Sequence, residues 1–296
     1  MDDFQGRRTD ENPGERTADE RLAELFAFLR RRVTGAYEVD EFGFDPDLNE
    51  NVLIEALRPL YRHWFRVEAL GLGNVPADAG ALIVANHSGT LPMDALMLQV
   101  AVHDELDRPL RLLGAHLVYQ LPVLGHLARK SGHTLACPED ADRLLRKGEV
   151  VGVFPEGFKG IGKPFSERYR LQRFGRGGFV ASAIRAGVPI VPCAIVGAEE
   201  IYPKIGDIPA LARLLGLPSL PITPLFPWLG PLGLLPLPSK WLIEFGEPVR
   251  TDEYAPEEAD DPLLVFDLTD HVRETMQRQL DALRLRRGPA FPPIVM

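Results

Sequence analysis

Apolar residues recur at helical spacing over 19–34 and again over 48–63, so two amphipathic helices open the chain. Beyond them the period changes. Short apolar runs at 65–70, 81–86, 110–114, 150–154, 190–196 and 241–245 read as strands. Helical patterns fall between several of them, at 92–103, 116–130, 138–147 and 175–187. A long amphipathic segment follows at 262–286, where Arg284, Arg286 and Arg287 suit a helix C-terminus. Alternation of this kind predicts an α/β fold, a mixed and mostly parallel sheet flanked by helices with an N-terminal helical pair. The expected organisation is a disordered polar tail at 1–18, amphipathic helices at 19–64, one α/β domain at 65–250, and a C-terminal helix and tail at 251–296.

Two of the strands end in chemistry. The run at 81–86 is apolar throughout, as a central strand covered on both faces must be, and it stops at Asn86. His87, Ser88, Gly89 and Thr90 then make a turn, Pro92 suits the first position of the next helix, and Asp94 falls in that helix's first turn. Sheets of this class place ligand sites beyond the carboxyl ends of their strands, where His87 would sit. The stretch VVGVFPEGFKG at 150–160 has the same grammar, an apolar strand followed by Pro155, Glu156 and Gly157. Downstream, Lys159, Lys163, Arg168, Arg170, Arg173 and Arg176 stand against a single acid, Glu167. In a chain of formal net charge −9, that local reversal of sign predicts an anionic ligand.

The overall charge argues against nucleic acid as a partner. The two cysteines, Cys137 and Cys193, lie in apolar surroundings and support neither a disulfide framework nor a zinc site, so the cytoplasm is the default compartment. The first twenty residues are polar and acidic, with no apolar segment of a secretory signal. His116, His126 and His133 have no carboxylate or cysteine at ligand spacing, so no metal is expected.

Residues 214–239 carry no charge and are long enough to span a bilayer, but prolines at 218, 221, 224, 227, 231, 236 and 238 rule out a spanning helix. Two readings remain for them. The segment packs on its own domain, or it presses Leu225, Phe226, Trp228, Leu229 and Leu232 into a membrane surface.

A histidine in reach of a carboxylate works as a general base, because the carboxylate fixes its tautomer and stabilises the imidazolium. Ser88 adjoins His87, but no G-x-S-x-G elbow is present and a hydroxyl next to its own base in sequence is poor geometry for a nucleophile, which leaves an esterase or lipase as the weaker reading. The base would then act on a substrate hydroxyl.

Taken together, NHSGTLPMD, FPEG with a basic residue after it, and VPIVPCAIVG resemble the signature of the glycerolipid acyltransferases, the family that includes the 1-acylglycerol-3-phosphate acyltransferases, over roughly residues 60–250. The resemblance implies that His87 is the catalytic base, Asp94 its partner, Glu156 and Gly157 part of the acceptor-binding motif, and 189–192 the fourth motif. It implies O-acyl transfer from acyl-CoA or acyl-carrier protein to a membrane lipid hydroxyl, foremost 1-acylglycerol-3-phosphate, with Lys159, Arg173 and Arg176 as candidates for phosphate contacts. No metal or bound cofactor is implied, the acyl thioester being a co-substrate, and the expected location is peripheral, on the inner face of the membrane.

The chain departs from the family pattern at three places. Six residues separate His87 from Asp94 where the pattern has four, so a non-helical start must fold the aspartate back. A continuous helix would hold the two about 10 Å apart. Phe158, Lys159 and Gly160 replace Thr-Arg-Ser, which keeps a cation but loses a forked guanidinium. Near the second motif, GHTLACPEDADRLL offers Cys137 and Pro138 in place of the arginine expected after a short strand. A neutral glyceride or another lysolipid is therefore the next acceptor, and a non-catalytic membrane-associated lipid-binding protein is the reading from a different class.

Overall fold

The computed structural model describes residues 18–88, 91–214 and 220–291. Most of the tail at 1–18 and part of the 214–239 segment thus lie outside the described residues. The chain divides into two units, Met1–Glu38 and Val39–Met296. In the first, the helix Ala18–Thr34 carries Leu25, Phe26 and Leu29 exposed on its surface, and the Arg32 guanidinium lies over the rings of Phe28 and Tyr37.

Among the described residues the second unit holds nine strands: β1 (Glu68–Leu70), β2 (Ala81–Ala85), β3 (Leu110–Gly114), β4 (Thr134–Leu135), β5 (Val150–Val153), β6 (Ile190–Val196), β7 (Gly206–Asp207), β8 (Pro221–Ile222) and β9 (Leu242–Phe245). Seven of them form one sheet in the order β1-β9-β6-β2-β5-β3-β4, and β7 pairs with β8 in a small separate ribbon. Every pairing in the large sheet is parallel except β6 with β9. The fold is therefore α/β with a mostly parallel sheet, as the alternation of patterns predicts.

The central strand β2 is buried along its whole length, and its two faces go to different layers. Ala81, Ile83 and Ala85 pack with Met97, Leu98 and Ala101 of the helix Met93–Leu106. Leu82 and Val84 pack with Val180 and Ile184 of the helix Gly178–Ala186 and with Val272 and Met276 of the helix Pro262–Arg287. Each such side chain contributes about 1.5–3 kcal/mol by leaving water, so the register of β2 is strongly fixed.

Several elements differ from the pattern-based reading. The expected helix at 48–63 runs over 46–64, with wider π-type turns at Asn49–Ile54 and Leu60–Trp64 that accommodate Pro59, which has no amide to donate. Asp45 caps its start by accepting from the Leu48 amide at 3.0 Å. The expected helix at 116–130 is two, His116–Gln120 and Pro122–Lys130, broken where Leu121 precedes proline and takes an extended conformation. β4, β7 and β8 are only two residues long, too short to leave a periodic signal.

Candidate active site

The chain leaves β5 for β6 by passing over β2, so the carboxyl ends of β2 and β5 lie side by side where the strand order reverses, the place a ligand site is expected in an open α/β sheet. His87 follows β2 and Glu156 follows β5. Between β2 and His87 sits Asn86, fully buried, whose side-chain amide donates to the Ile195 carbonyl at 3.0 Å while its oxygen accepts from the Ile195 amide at 2.7 Å. A side chain thus continues the β2–β6 ladder for one more step while the main chain turns away to present the histidine.

His87 and Asp94 meet. Imidazole Nδ1 and Asp94 Oδ2 are 2.7 Å apart. The helix begins only at Met93, and Leu91 and Pro92 before it are not helical, so the two are not separated by two helical turns. Gly89 and Thr90 lie outside the described residues. Asp94 is fully buried and is satisfied on every side: Oδ2 also accepts from the Ser88 amide at 2.7 Å, and Oδ1 accepts from the Ala95 amide at 2.8 Å. A buried carboxylate bonded in this way makes Nδ1 the protonated ring nitrogen and leaves the Nε2 lone pair as the acceptor. No bond to Nε2 is made among the described residues. The His87 side chain keeps 13% of its surface open, and its ring lies tilted against Phe154 at 4.6 Å between centroids. The arrangement leaves Nε2 as the ring nitrogen open to a substrate.

Ser88 does not have the position of a nucleophile. Its hydroxyl is buried and faces Asp94 Oδ2 at 3.4 Å, with no bond to the imidazole among the described residues.

Glu156 is buried, and both its oxygens are engaged by the protein itself. Oε1 accepts from the His87 amide at 3.1 Å and Oε2 from the Gln172 amide at 2.6 Å. Gly157 has φ 54° and ψ −140°, a conformation open to glycine, which lets the chain reverse directly after Glu156. Its amide donates to the Phe154 carbonyl at 3.0 Å. The Gly157 and Ser88 amides, both candidates for holding an oxyanion, thus have partners within the protein, and the amides of 89 and 90 lie outside the described residues. Gly160, which replaces a serine of the family pattern, packs against the catalytic candidate directly. A Cβ there would stand 2.8 Å from the His87 carbonyl oxygen and 3.2 Å from its Cβ.

The basic run divides. Lys159, Arg173 and Arg176 are exposed and have no carboxylate partner among the described residues. The segment 172–176 runs alongside the Glu156 turn, since Gln172 bonds Glu156 and the Gly175 amide donates to the Pro155 carbonyl at 3.2 Å. Arg173 directly follows Gln172, whose amide bonds Glu156. Lys163, by contrast, points inward to Glu199 and Glu156. Burial pushes the Glu199 carboxyl up to about 7 despite that lysine. A cavity beside Gly160 is lined by Lys163, Phe165, Arg168, Glu199 and Tyr202 among others.

Other candidates resolve as structure. His133 Nε2 donates to Gln99 Oε1 at 3.1 Å inside the core, and Cys193 is buried in β6. Among the described residues no group of His, Cys, Asp and Glu could hold a metal. Cys137 occupies the N-cap position of the helix Pro138–Arg146 after β4 without a side-chain cap bond, so the short strand of the second family motif is present without its arginine.

The parts played by Asn86, Phe154, Gly160, Lys163 and Glu199 are not evident from the sequence. An asparagine ending an otherwise apolar strand is a legible signal for the first. The contacts of Lys163 and Glu199 join segments 36 residues apart and leave none.

An acyltransferase family model matches residues 66–196. An uncharacterized protein of Mycobacterium tuberculosis is 59% identical over 91% of this chain and 76% of its own length. A chicken (Gallus gallus) protein, named as a DGAT1/2-independent enzyme synthesizing storage lipids, is 30% identical over 64% of this chain and 54% of that one. The crystal structure of a 1-acyl-sn-glycerophosphate acyltransferase, PlsC, from Thermotoga maritima superposes with a TM-score of 0.53, covering 89% of this chain and 96% of that one at 18% identity. The chain belongs to the glycerolipid acyltransferase family. It is an acyltransferase, and the family model spans the strands that carry both His87 and Glu156.

Proposed function

We propose that this acyltransferase moves a fatty acyl group from an acyl thioester, on CoA or on acyl-carrier protein, to a hydroxyl of a glycerolipid, with His87 as general base. The observation that carries this reading is the 2.7 Å bond between His87 Nδ1 and a fully buried, fully bonded Asp94 at the carboxyl end of β2. In the proposed step Nε2 removes the proton of the acceptor hydroxyl as its oxygen attacks the thioester carbonyl. The carbonyl π pair moves onto oxygen, and its return expels the thiolate, which takes a proton from the imidazolium. Asp94 holds the tautomer and stabilises the imidazolium between the two transfers. No acyl-enzyme is formed.

The leading acceptor is 1-acylglycerol-3-phosphate. Exposed Lys159, Arg173 and Arg176 support an anionic headgroup near the site, as does the name of the Thermotoga protein, a 1-acyl-sn-glycerophosphate acyltransferase. A neutral glyceride is the second reading. It is favoured by the retreat of Lys163 into the protein, by the loss of the forked cation at Lys159, and by the storage-lipid role in the name of the chicken relative.

The enzyme would meet its lipid at a membrane surface, on the cytoplasmic side and without crossing it. No helix of the described residues is long and apolar enough to span a bilayer. Within 214–239, Leu225 and Phe226 are half-buried while Trp228, Leu229 and Leu232 stand exposed, Trp228 at 75%, and Leu235 extends the patch. A cluster of this make-up suits the boundary between water and lipid.

Transfer of labelled acyl groups from acyl-CoA and acyl-carrier protein to lysolipid and glyceride acceptors in liposomes tests the reading. Acceptor-dependent product that disappears in His87→Ala is the expected result. Product retained by that variant would refute the assignment of the base.

A further inference from the structure

We propose that Lys163 is a positioning residue of acyl transfer, fixing the main chain at His87 through Glu156; the proposal rests on the reading of His87 as the base. Three strands contribute. The carboxyl ends of β2, β5 and β6 are followed by His87, Glu156 and Glu199, and the Lys163 ammonium lies among them with only 3% of its side chain exposed. It stands 3.1 Å from Glu199 Oε1 and 3.5 Å from Glu156 Oε2, and it donates to the Arg170 carbonyl at 3.2 Å. Two of its protons are thus donated within the protein, to Glu199 and to the Arg170 carbonyl, and the ammonium faces Glu156 as an ion pair.

The consequence runs through Glu156. That carboxylate ties the His87 amide to the Gln172 amide, so its position sets where the chain leaves β2. A carboxylate in a dry interior is costly, and a cation beside it offsets part of that cost and helps hold it in place. Lys163 supplies that charge. Without it, Glu156 and Glu199 share a dry site with no ammonium between them, and Glu156 is free to turn away. That change loosens the His87 amide. The imidazole Nε2 then loses its aim at the acceptor hydroxyl, and a displacement of about 1 Å at a reacting group is enough to cost on the order of 100-fold in rate. The basic run is accordingly two things: an outer set, Lys159, Arg173 and Arg176, open to a ligand, and one inner lysine that serves the base.

The test is steady-state acyl transfer by the full chain, comparing the parent with His87→Ala, Lys163→Met and the double variant Lys163→Met with Glu199→Gln. The double variant removes one charge of each sign, so the cluster keeps its net charge and the fold is spared a second buried carboxylate beside Glu156. The expected result is a fall in kcat on the order of 100-fold in both Lys163 variants, with KM for the acceptor changed by less than about threefold. The double variant is expected to melt close to the parent. Parental kcat, within about threefold, in the folded double variant overturns the proposal, because a lysine needed only for stability would leave the chemistry intact. A raised acceptor KM at parental kcat overturns it too, since that is the signature of a lysine that touches the substrate. Transfer that survives His87→Ala removes the base assignment and this inference with it, whereas loss in His87→Ala alone separates the two.

Discussion

Asn86 and Ile195 exchange two hydrogen bonds across the end of the sheet, amide to carbonyl at 3.0 Å and oxygen to amide at 2.7 Å. The pair replaces main-chain pairing at the point where β2 has to stop, and the next residue is His87. In Asn86→Ala both polar groups of Ile195 are left buried without partners, at about 1–3 kcal/mol each. The variant is expected to melt several degrees lower and to lose kcat even where it remains folded. Thermal denaturation followed by circular dichroism, alongside kcat below the transition, checks both.

Asp94→Asn keeps the volume and removes the charge. The new amide competes with Nδ1–H and with the Ser88 amide as a donor, so the imidazole is free to adopt the other tautomer and has no anion to stabilise its protonated form. Turnover is expected to fall by roughly 10³-fold, as general-base arrangements of this kind lose 10²–10⁴-fold. A kcat within about tenfold of the parent would contradict the role given to the pair.

At Gly160 the strain is steric. An added Cβ meets the His87 carbonyl oxygen at 2.8 Å and Glu156 Cβ at 3.0 Å. Backbone has to shift, at about 1–3 kcal/mol, and the shift falls on His87. Gly160→Ala is expected to lower kcat by about tenfold or more, measured at saturating acceptor.

His133 carries a pH dependence. Burial, with Arg111 nearby, depresses its imidazole to about 4 from 6.5. The unfolded chain therefore binds a proton that the folded chain refuses as pH falls from 6.5 towards 4, so the stability it contributes is full above 6.5 and is lost through that window. The loss is on the order of 3 kcal/mol when complete. His133→Gln, which keeps a donor towards Gln99, is expected to flatten this part of the stability curve in denaturant titrations at pH 7, 6 and 5.

The exposed patch at Trp228, Leu229 and Leu232 makes a separate prediction. Replacing all three with serine is expected to weaken partition onto liposomes by about 10–100-fold, which at roughly 25 cal/mol per Å² corresponds to about 60–110 Å² of their apolar surface entering the lipid. Turnover of a short-chain acceptor in free solution should be unchanged. Co-sedimentation with vesicles, with and without anionic lipid, measures the first.

The positions of β1, β2, β3, β5, β6 and β9 and the ends of β2 and β5 were legible from one dimension. A central strand buried on both faces is apolar throughout, and a polar pair directly after such a run, as at Asn86-His87 and at Glu156, breaks that pattern in plain view. The α/β class and the long C-terminal helix followed from periods that local geometry imposes. Pairing distances were not legible. That His87 reaches Asp94 depends on the helix beginning only at Met93, and where a helix begins is set by what packs around it. Nor did the basic run announce which of its cations is withdrawn. Lys163 reads like its neighbours in sequence, and only the convergence of three strand ends surrounds it with Glu156 and Glu199. Composition fixes charge and periodicity fixes faces. The partner of a buried charge is decided by the fold alone, because it comes from a segment far along the chain and is chosen by the need to leave no charge uncompensated in a dry interior.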